Sequence, residues 1–109
     1  MDDMKQEKAF YTYILANNKG MLYVGITGDL KIRVQQHKEG RGSTYTSKYQ
    51  CHRLVYYEVF EYVFDAIERE KQIKGYGRTK KKALIDSMNP QWSDVSKDWS
   101  DGDIENRFA

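Results

Sequence analysis

Apolar and aromatic positions along this chain fall into short blocks with two different periods. Ala9–Leu15 and Met21–Ile26 are dense in Tyr, Ile, Leu and Val, the composition of strands. Asn17-Asn18-Lys19-Gly20 between them predicts a hairpin turn. Arg53–Phe60, reading RLVYYEVF, predicts a third strand. Helical spacing runs over about Leu30–Glu39, where Thr27-Gly28-Asp29 offers an N-cap and Gly40-Arg41-Gly42-Ser43 a stop. It returns over about Val63–Lys74, closed by Gly75, and over about Thr79–Ser87, closed by Asn89-Pro90. Thr44–Gln50 reads as a polar loop carrying Tyr45 and Tyr49.

The order β-β-α-β-α-α predicts an α+β domain, a three-stranded antiparallel or mixed sheet flanked by helices. Residues 1–8 form a polar N-terminal extension, 9–92 the folded domain and 93–109 an acidic tail, with Trp92 and Trp99 available to dock on the body. In the first strand Tyr11, Tyr13 and Leu15 share one face, and Thr12 and Ile14 the other. Tyr23 joins Tyr11 and Tyr13 if the hairpin register permits.

Polar residues interrupt the apolar stripes of two helices. At roughly 100° per residue, Val63, Ala66, Ile67 and Ile73 together set an apolar direction close to Val63, near which Glu70 and Lys74 fall, while Glu68 and Arg69 point outward. A carboxylate on such a face is costly without a partner or a metal. A Glu70–Lys74 pair with the helix rolled slightly supplies one answer. In the first helix Leu30 and Val34 face the sheet, and Arg33 and His37 border the same arc. Arg33, His37 and Glu70 are thus three polar groups aimed at a sheet face that carries phenols. Arg binds phosphate bidentately, Glu holds hard divalent cations, and His or Tyr passes protons. Those are the parts of metal-assisted phosphodiester hydrolysis.

Composition narrows the setting. The 109 residues suffice for one core. A mean hydropathy of −0.84, with no apolar run near the roughly 18 residues of a membrane span, predicts a soluble chain without a membrane partner. The opening MDDMKQEK is polar with no apolar stretch behind it, so a cytoplasmic protein without a secretory signal is expected. The single cysteine, Cys51, excludes an internal disulfide and suits a reducing compartment. The net charge of +2 is unevenly spread. From Met88 onward five acidic residues (Asp94, Asp98, Asp101, Asp103, Glu105) face Lys97 and Arg107, a surplus of −3, which leaves +5 on residues 1–87. Arg69, Lys71, Lys74, Arg78, Lys80, Lys81 and Lys82 form a basic cluster. It suits either phosphate or a solvated helix face.

Four stretches, taken in order, resemble a stand-alone GIY-YIG nuclease domain of the small bacterial single-domain type. Tyr11-Thr12-Tyr13 stands where that family has GIY, and Tyr23-Val24-Gly25 where it has YIG. DLKIRVQQH, Asp29–His37, is similar to the family's helix with arginine and, four residues on, histidine or tyrosine. Ala66–Trp92 is similar to the helix bearing the metal glutamate and the basic segment after it. The resemblance covers roughly residues 9–99. Tyr11 and Thr12 depart from the Gly and Ile of GIY, Val24 from the Ile of YIG, and Ile26 stands where excision-repair members have lysine.

The resemblance implies a DNA endonuclease dependent on one Mg²⁺ or Mn²⁺, acting on branched, flapped or damaged DNA. Tyr13 would activate or orient the attacking water. Tyr23 would line the site and bond the nucleophile or phosphate, and Gly25 would allow close backbone approach. Arg33 would bind the scissile phosphate, His37 would contact it or assist proton transfer, and Glu70 would hold the metal. Asn89 would correspond to a late asparagine of the family. Lys74, Arg78, Lys80, Lys81 and Lys82 are expected against the DNA backbone, and Tyr45 against a base. Tyr11 is expected to be sheet packing. A protein partner or a homodimer stays open. Two other readings stand beside this one: a nucleic-acid-binding module of the same fold without turnover, and a protein-interaction domain using the acidic tail.

Overall fold

The computed structural model describes residues 9–99. The N-terminal extension and the acidic residues Asp101, Asp103 and Glu105 of the tail lie outside them. Seven elements follow in order: β1 Phe10–Ala16, β2 Leu22–Thr27, α1 Leu30–Lys38, α2 Thr44–Tyr49, β3 Arg53–Phe60, α3 Val63–Lys74 and α4 Arg78–Met88. The sheet is antiparallel throughout, with β1 between β2 and β3. No described helix is long and apolar enough to cross a membrane.

Local chemistry fixes each junction. Asn17 Oδ1 accepts from the backbone N–H groups of Lys19 and Met21, both at 2.9 Å, and Gly20 takes φ +85° to close the hairpin. Asp29 caps α1 by accepting from Ile32 N at 3.0 Å. The segment expected as a polar loop is instead α2, a six-residue helix. Its sequence TYTSKY has no apolar period, so the helical signal is confined to the cap. Ser43 Oγ accepts from Thr46 N at 3.1 Å, and Gln50 ends the helix in the left-handed region at φ 55°.

The sheet is buried on both sides. Tyr11, Tyr13 and Leu15 pack with Leu30 and Val34 of α1, and with Cys51 and Leu54. Ile14, Ala16 and Val24 pack on the other face with Val55, Tyr56, Ile73 of α3 and Ile85 of α4. A bulge opposite Ile14/Leu15 lets the adjacent residues Val55 and Tyr56 join the same cluster. Thr12 Oγ1 donates to Ala66 O at 2.9 Å and ties β1 to α3.

Helix α3 is rolled away from the direction of Val63 and Ile67. Ala66 and Ile73 are its buried residues, and Phe64 is 78% exposed. Glu70 therefore sits on the shoulder of the buried face, and Lys74 Nζ pairs with Glu70 Oε2 at 2.8 Å. Arg69, expected outward, forks onto Glu58 across the α3–β3 seam at 3.0 Å, and Tyr56 bonds the same carboxylate. Burial and Glu58 push the Tyr56 phenol up to about 12.

Residues after α4 pack back on the body. Asn89 Nδ2 donates to Val55 O at 3.1 Å and Ser93 O at 2.8 Å. Val95 N donates to Leu54 O at 2.9 Å, and Asp94 receives Lys38 Nζ at 2.8 Å. Trp92 packs against the second cluster and Trp99 edge-on to Tyr57 in the first.

Candidate active site

Strand register assembles the site. Tyr13 lies opposite Gly25, and Leu15 opposite Tyr23, so Tyr13 and Tyr23 are diagonal neighbours on one face. Their rings are 6.3 Å apart, and each lies near the His37 imidazole, at 5.8 and 5.3 Å. A Cβ on Gly25 would stand 2.7 Å from both Cζ and Oη of Tyr13 and 3.0 Å from Tyr23. Only a residue without a side chain lets the phenol lie flat against β2.

The Tyr13 hydroxyl is 2.9 Å from His37 Nε2, and His37 Nδ1 is 2.8 Å from Thr46 Oγ1. Thr46 Oγ1 in turn meets Ser43 Oγ at 2.9 Å and Ser43 O at 3.3 Å. Tyr13, His37 and Thr46 are all fully buried. The charge of Arg33 also acts on the phenol. Thr46 Oγ1 spends its one proton on Ser43 O, so it accepts from His37 Nδ1–H. His37 Nε2 is then an acceptor and receives the Tyr13 hydroxyl. Burial, with the charges of Arg33 and His52, lowers His37 to about 4, so the ring is neutral at physiological pH.

Burial and Tyr23 raise the Tyr13 phenol well above its ordinary value, Glu70 raises it further, and Arg33 opposes them. Arg33 of α1 and Glu70 of α3 thus act on the same hydroxyl although their helices pack on opposite faces of the sheet. Glu70 is a half-buried carboxylate paired with Lys74. Among the described residues no group of three His, Cys, Asp or Glu side chains could enclose a metal. A hard divalent ion held by one carboxylate, waters and a substrate phosphate fits such a site, because Mg²⁺ keeps most of its water.

Of the expected residues, Tyr23 and His37 touch the Tyr13 ring, and the charges of Arg33 and Glu70 act on its hydroxyl. Tyr45 borders them, its ring 6.0 Å from Tyr23 and 4.9 Å from Tyr49. The basic residues are partly engaged elsewhere. Arg78 donates to Gly20 O at 2.8 Å, and Lys80 Nζ stands 4.4 Å over the Tyr76 ring. Lys80 and Lys82 are exposed, and Lys81 is half-buried. Tyr11 is packing against Tyr57. The amide of Asn89 is spent on Val55 and Ser93.

Sequence reasoning missed Gly42, Ser43 and Thr46, which hold His37. A Cβ on Gly42 would lie 2.0 Å from His37 Nδ1, so the glycine is the floor on which the ring rests. The available signal was Ser43 three residues before Thr46, a helix cap inside an apparently featureless polar stretch.

The family model described as the GIY-YIG catalytic domain matches residues 9–83. UPF0213 proteins from Staphylococcus aureus strains Mu3 and Mu50 are each 40% identical over 75 residues, which covers 69% of this chain and 92% of theirs. The solution NMR structure of a UPF0213 protein from Bacillus halodurans superposes with a TM-score of 0.54 at 29% identity, covering 84% of this chain and 98% of that one.

Proposed function

The chain belongs to the GIY-YIG catalytic domain family, and from that premise we propose that it is a metal-dependent DNA endonuclease. In the finer reading it cuts phosphodiester bonds in branched, flapped or damaged DNA. The observation that carries the proposal is the Tyr13 phenol, which donates to a neutral buried imidazole and feels the charges of a guanidinium on α1 and a carboxylate on α3.

In this reading Arg33 takes the scissile phosphate. That movement opens the Tyr13 oxygen, buried in the free protein, to a proton from the attacking water. As that proton arrives, the phenol's own passes to His37 Nε2, so Tyr13 ends neutral and His37 cationic. Tyr23 packs on both rings and keeps them in line. Glu70 would hold the divalent ion, Mg²⁺ or Mn²⁺, which when bound stabilises charge on the phosphate and the leaving oxygen. A raised phenol pKa favours this shuttle over a standing phenolate, since Tyr13 need never carry a full negative charge.

The test is cleavage of end-labelled duplex, single strand, flap, fork and four-way junction with Mg²⁺, Mn²⁺ or EDTA. Metal-dependent cutting by the wild type, lost in Glu70→Ala, is expected. A folded wild type that cuts none of these substrates with either metal overturns the proposal.

A further inference from the structure

A cleft of about 640 Å³ opens between the β1–β2 turn, the end of α2 and the start of β3. Four of its lining residues are basic: Lys19, Lys48, His52 and Arg53. Its one carboxylate, Asp94, is already bonded to Lys38 and Ser96. Burial alone would raise Asp94, but those bonds win and hold it below the ordinary carboxylate range. Lys19 and Lys48 are exposed, and neither pairs with a carboxylate among the described residues. Arg53 is braced, Nη1 to Asn18 Oδ1 at 3.1 Å and Nη2 to Asn17 O at 2.9 Å. The cleft therefore carries net positive charge on a fixed frame.

The cleft also joins the catalytic centre. Tyr49 lines it, with Lys48 Nζ 5.3 Å from the ring centroid. From Tyr49 the rings of Tyr45, Tyr23 and Tyr13 follow in an unbroken row, at 4.9, 6.0 and 6.3 Å. The charge of His52 registers on His37. By contrast, four side chains of the α3–α4 basic cluster are already occupied: Arg69 on Glu58, Lys74 on Glu70, Arg78 on Gly20 and Lys80 on Tyr76.

We propose that this cleft is a second phosphate site, which holds a backbone phosphate of the same nucleic-acid strand whose scissile phosphate lies at Tyr13. The inference rests on the nuclease reading above. The strand crosses the tyrosine row, and Lys19, Lys48 and Arg53 neutralise the phosphate beyond it.

The experiment measures binding of a fluorescein-labelled DNA oligonucleotide in EDTA, by anisotropy across a salt series. Variants are Lys19→Ala/Lys48→Ala and, as a control on the other basic surface, Lys80→Ala/Lys82→Ala, each checked for folding by circular dichroism. Loss of two phosphate contacts lowers the log–log salt slope by about 1.5 and weakens binding about tenfold at moderate salt. That is the result expected of the cleft variant, with a smaller change in the control. A folded cleft variant with wild-type affinity and slope, or a wild type that does not bind, overturns the proposal. Cleavage with metal alongside unchanged cleft-variant binding removes the cleft and keeps the nuclease. Cleft-dependent binding in EDTA without cleavage under any metal keeps the phosphate site and removes the nuclease.

Discussion

The Tyr13 hydroxyl meets His37 Nε2 at 2.9 Å with both side chains sealed from solvent. One residue comes from the central strand and the other from the last turn of α1, 24 positions later. Each needs the other, because a buried phenol proton and a buried imidazole lone pair are both costly when unmatched.

Tyr13→Phe separates the chemical role from the packing role. The ring still fills the site, so the fold survives. The orphaned His37 Nε2 costs about 1–3 kcal/mol, read as a lowered Tm. Metal-dependent cleavage should fall by about 10² or more, as expected when a proton-transfer group is lost. Wild-type turnover in a folded Tyr13→Phe protein would remove the phenol from the mechanism.

Thr46→Val and Thr46→Ser test how His37 is held. Valine keeps the shape of threonine but removes the oxygen that receives His37 Nδ1–H at 2.8 Å, whereas serine retains it. The valine variant should lose about 1–3 kcal/mol and show a mixed tautomer by ¹⁵N NMR of the imidazole. The serine variant should keep a single Nδ1–H tautomer. Gly42→Ala acts from the other side of the ring. Its methyl cannot share space with Nδ1 at 2.0 Å, so the ring must move. Loss of the Tyr13–His37 bond should follow, with cleavage falling more than stability.

These residues also mark where the sequence was legible and where it was not. Strand alternation put Tyr11 and Tyr13 on one face, because a period of two leaves little freedom, whereas the place of Tyr23 beside Tyr13 depended on the hairpin register that the structure supplies. Leu30 and Val34 oriented α1 correctly, and His37 followed. The face of α3 was misjudged because Val63 and Ile67 were weighted equally with Ala66 and Ile73. The helix in fact buries small Ala66, whose own carbonyl accepts from Thr12, and leaves Phe64 outside. Residues of α2 carry no apolar period, so neither that helix nor Thr46 was visible. The bonding of Arg69 to Glu58 depends on β3 lying beside α3, which is tertiary information.

Acid should destabilise the protein through His37 first. The ring is held at about 4 in the folded chain against an ordinary 6.5. The unfolded chain therefore binds the extra proton across that window, and stability falls as pH drops from about 6.5 towards 4. Asp94 acts in the same direction but later, since its carboxyl is held below the ordinary 3.8 and its contribution is lost as pH falls through that lower value. Thermal melts across this range should show a decline in His37→Gln that is shallower between pH 6.5 and 4 and unchanged below. For activity, the acid limb of kcat/KM should lie well under 6.5. A limb centred at 6.5 would show that His37 titrates as an exposed histidine and contradict its sealed position.

In the proposed mechanism Lys74 and a divalent ion compete for one carboxylate. The ammonium lies 2.8 Å from Glu70 Oε2, and its own side chain is 55% exposed, so the pair is worth at most about 1 kcal/mol. Lys74→Gln should hardly change Tm for that reason. It should instead strengthen Mn²⁺ binding, followed by electron paramagnetic resonance without DNA, by about two- to fivefold, the equivalent of a weak screened ion pair. The gain should shrink as salt rises and screens the lysine in the wild type. Glu70→Gln should abolish Mn²⁺ binding in both backgrounds. Equal Mn²⁺ affinity in wild type and Lys74→Gln at low salt would mean that the ion does not take the carboxylate that Lys74 holds, and the metal would have to be placed elsewhere.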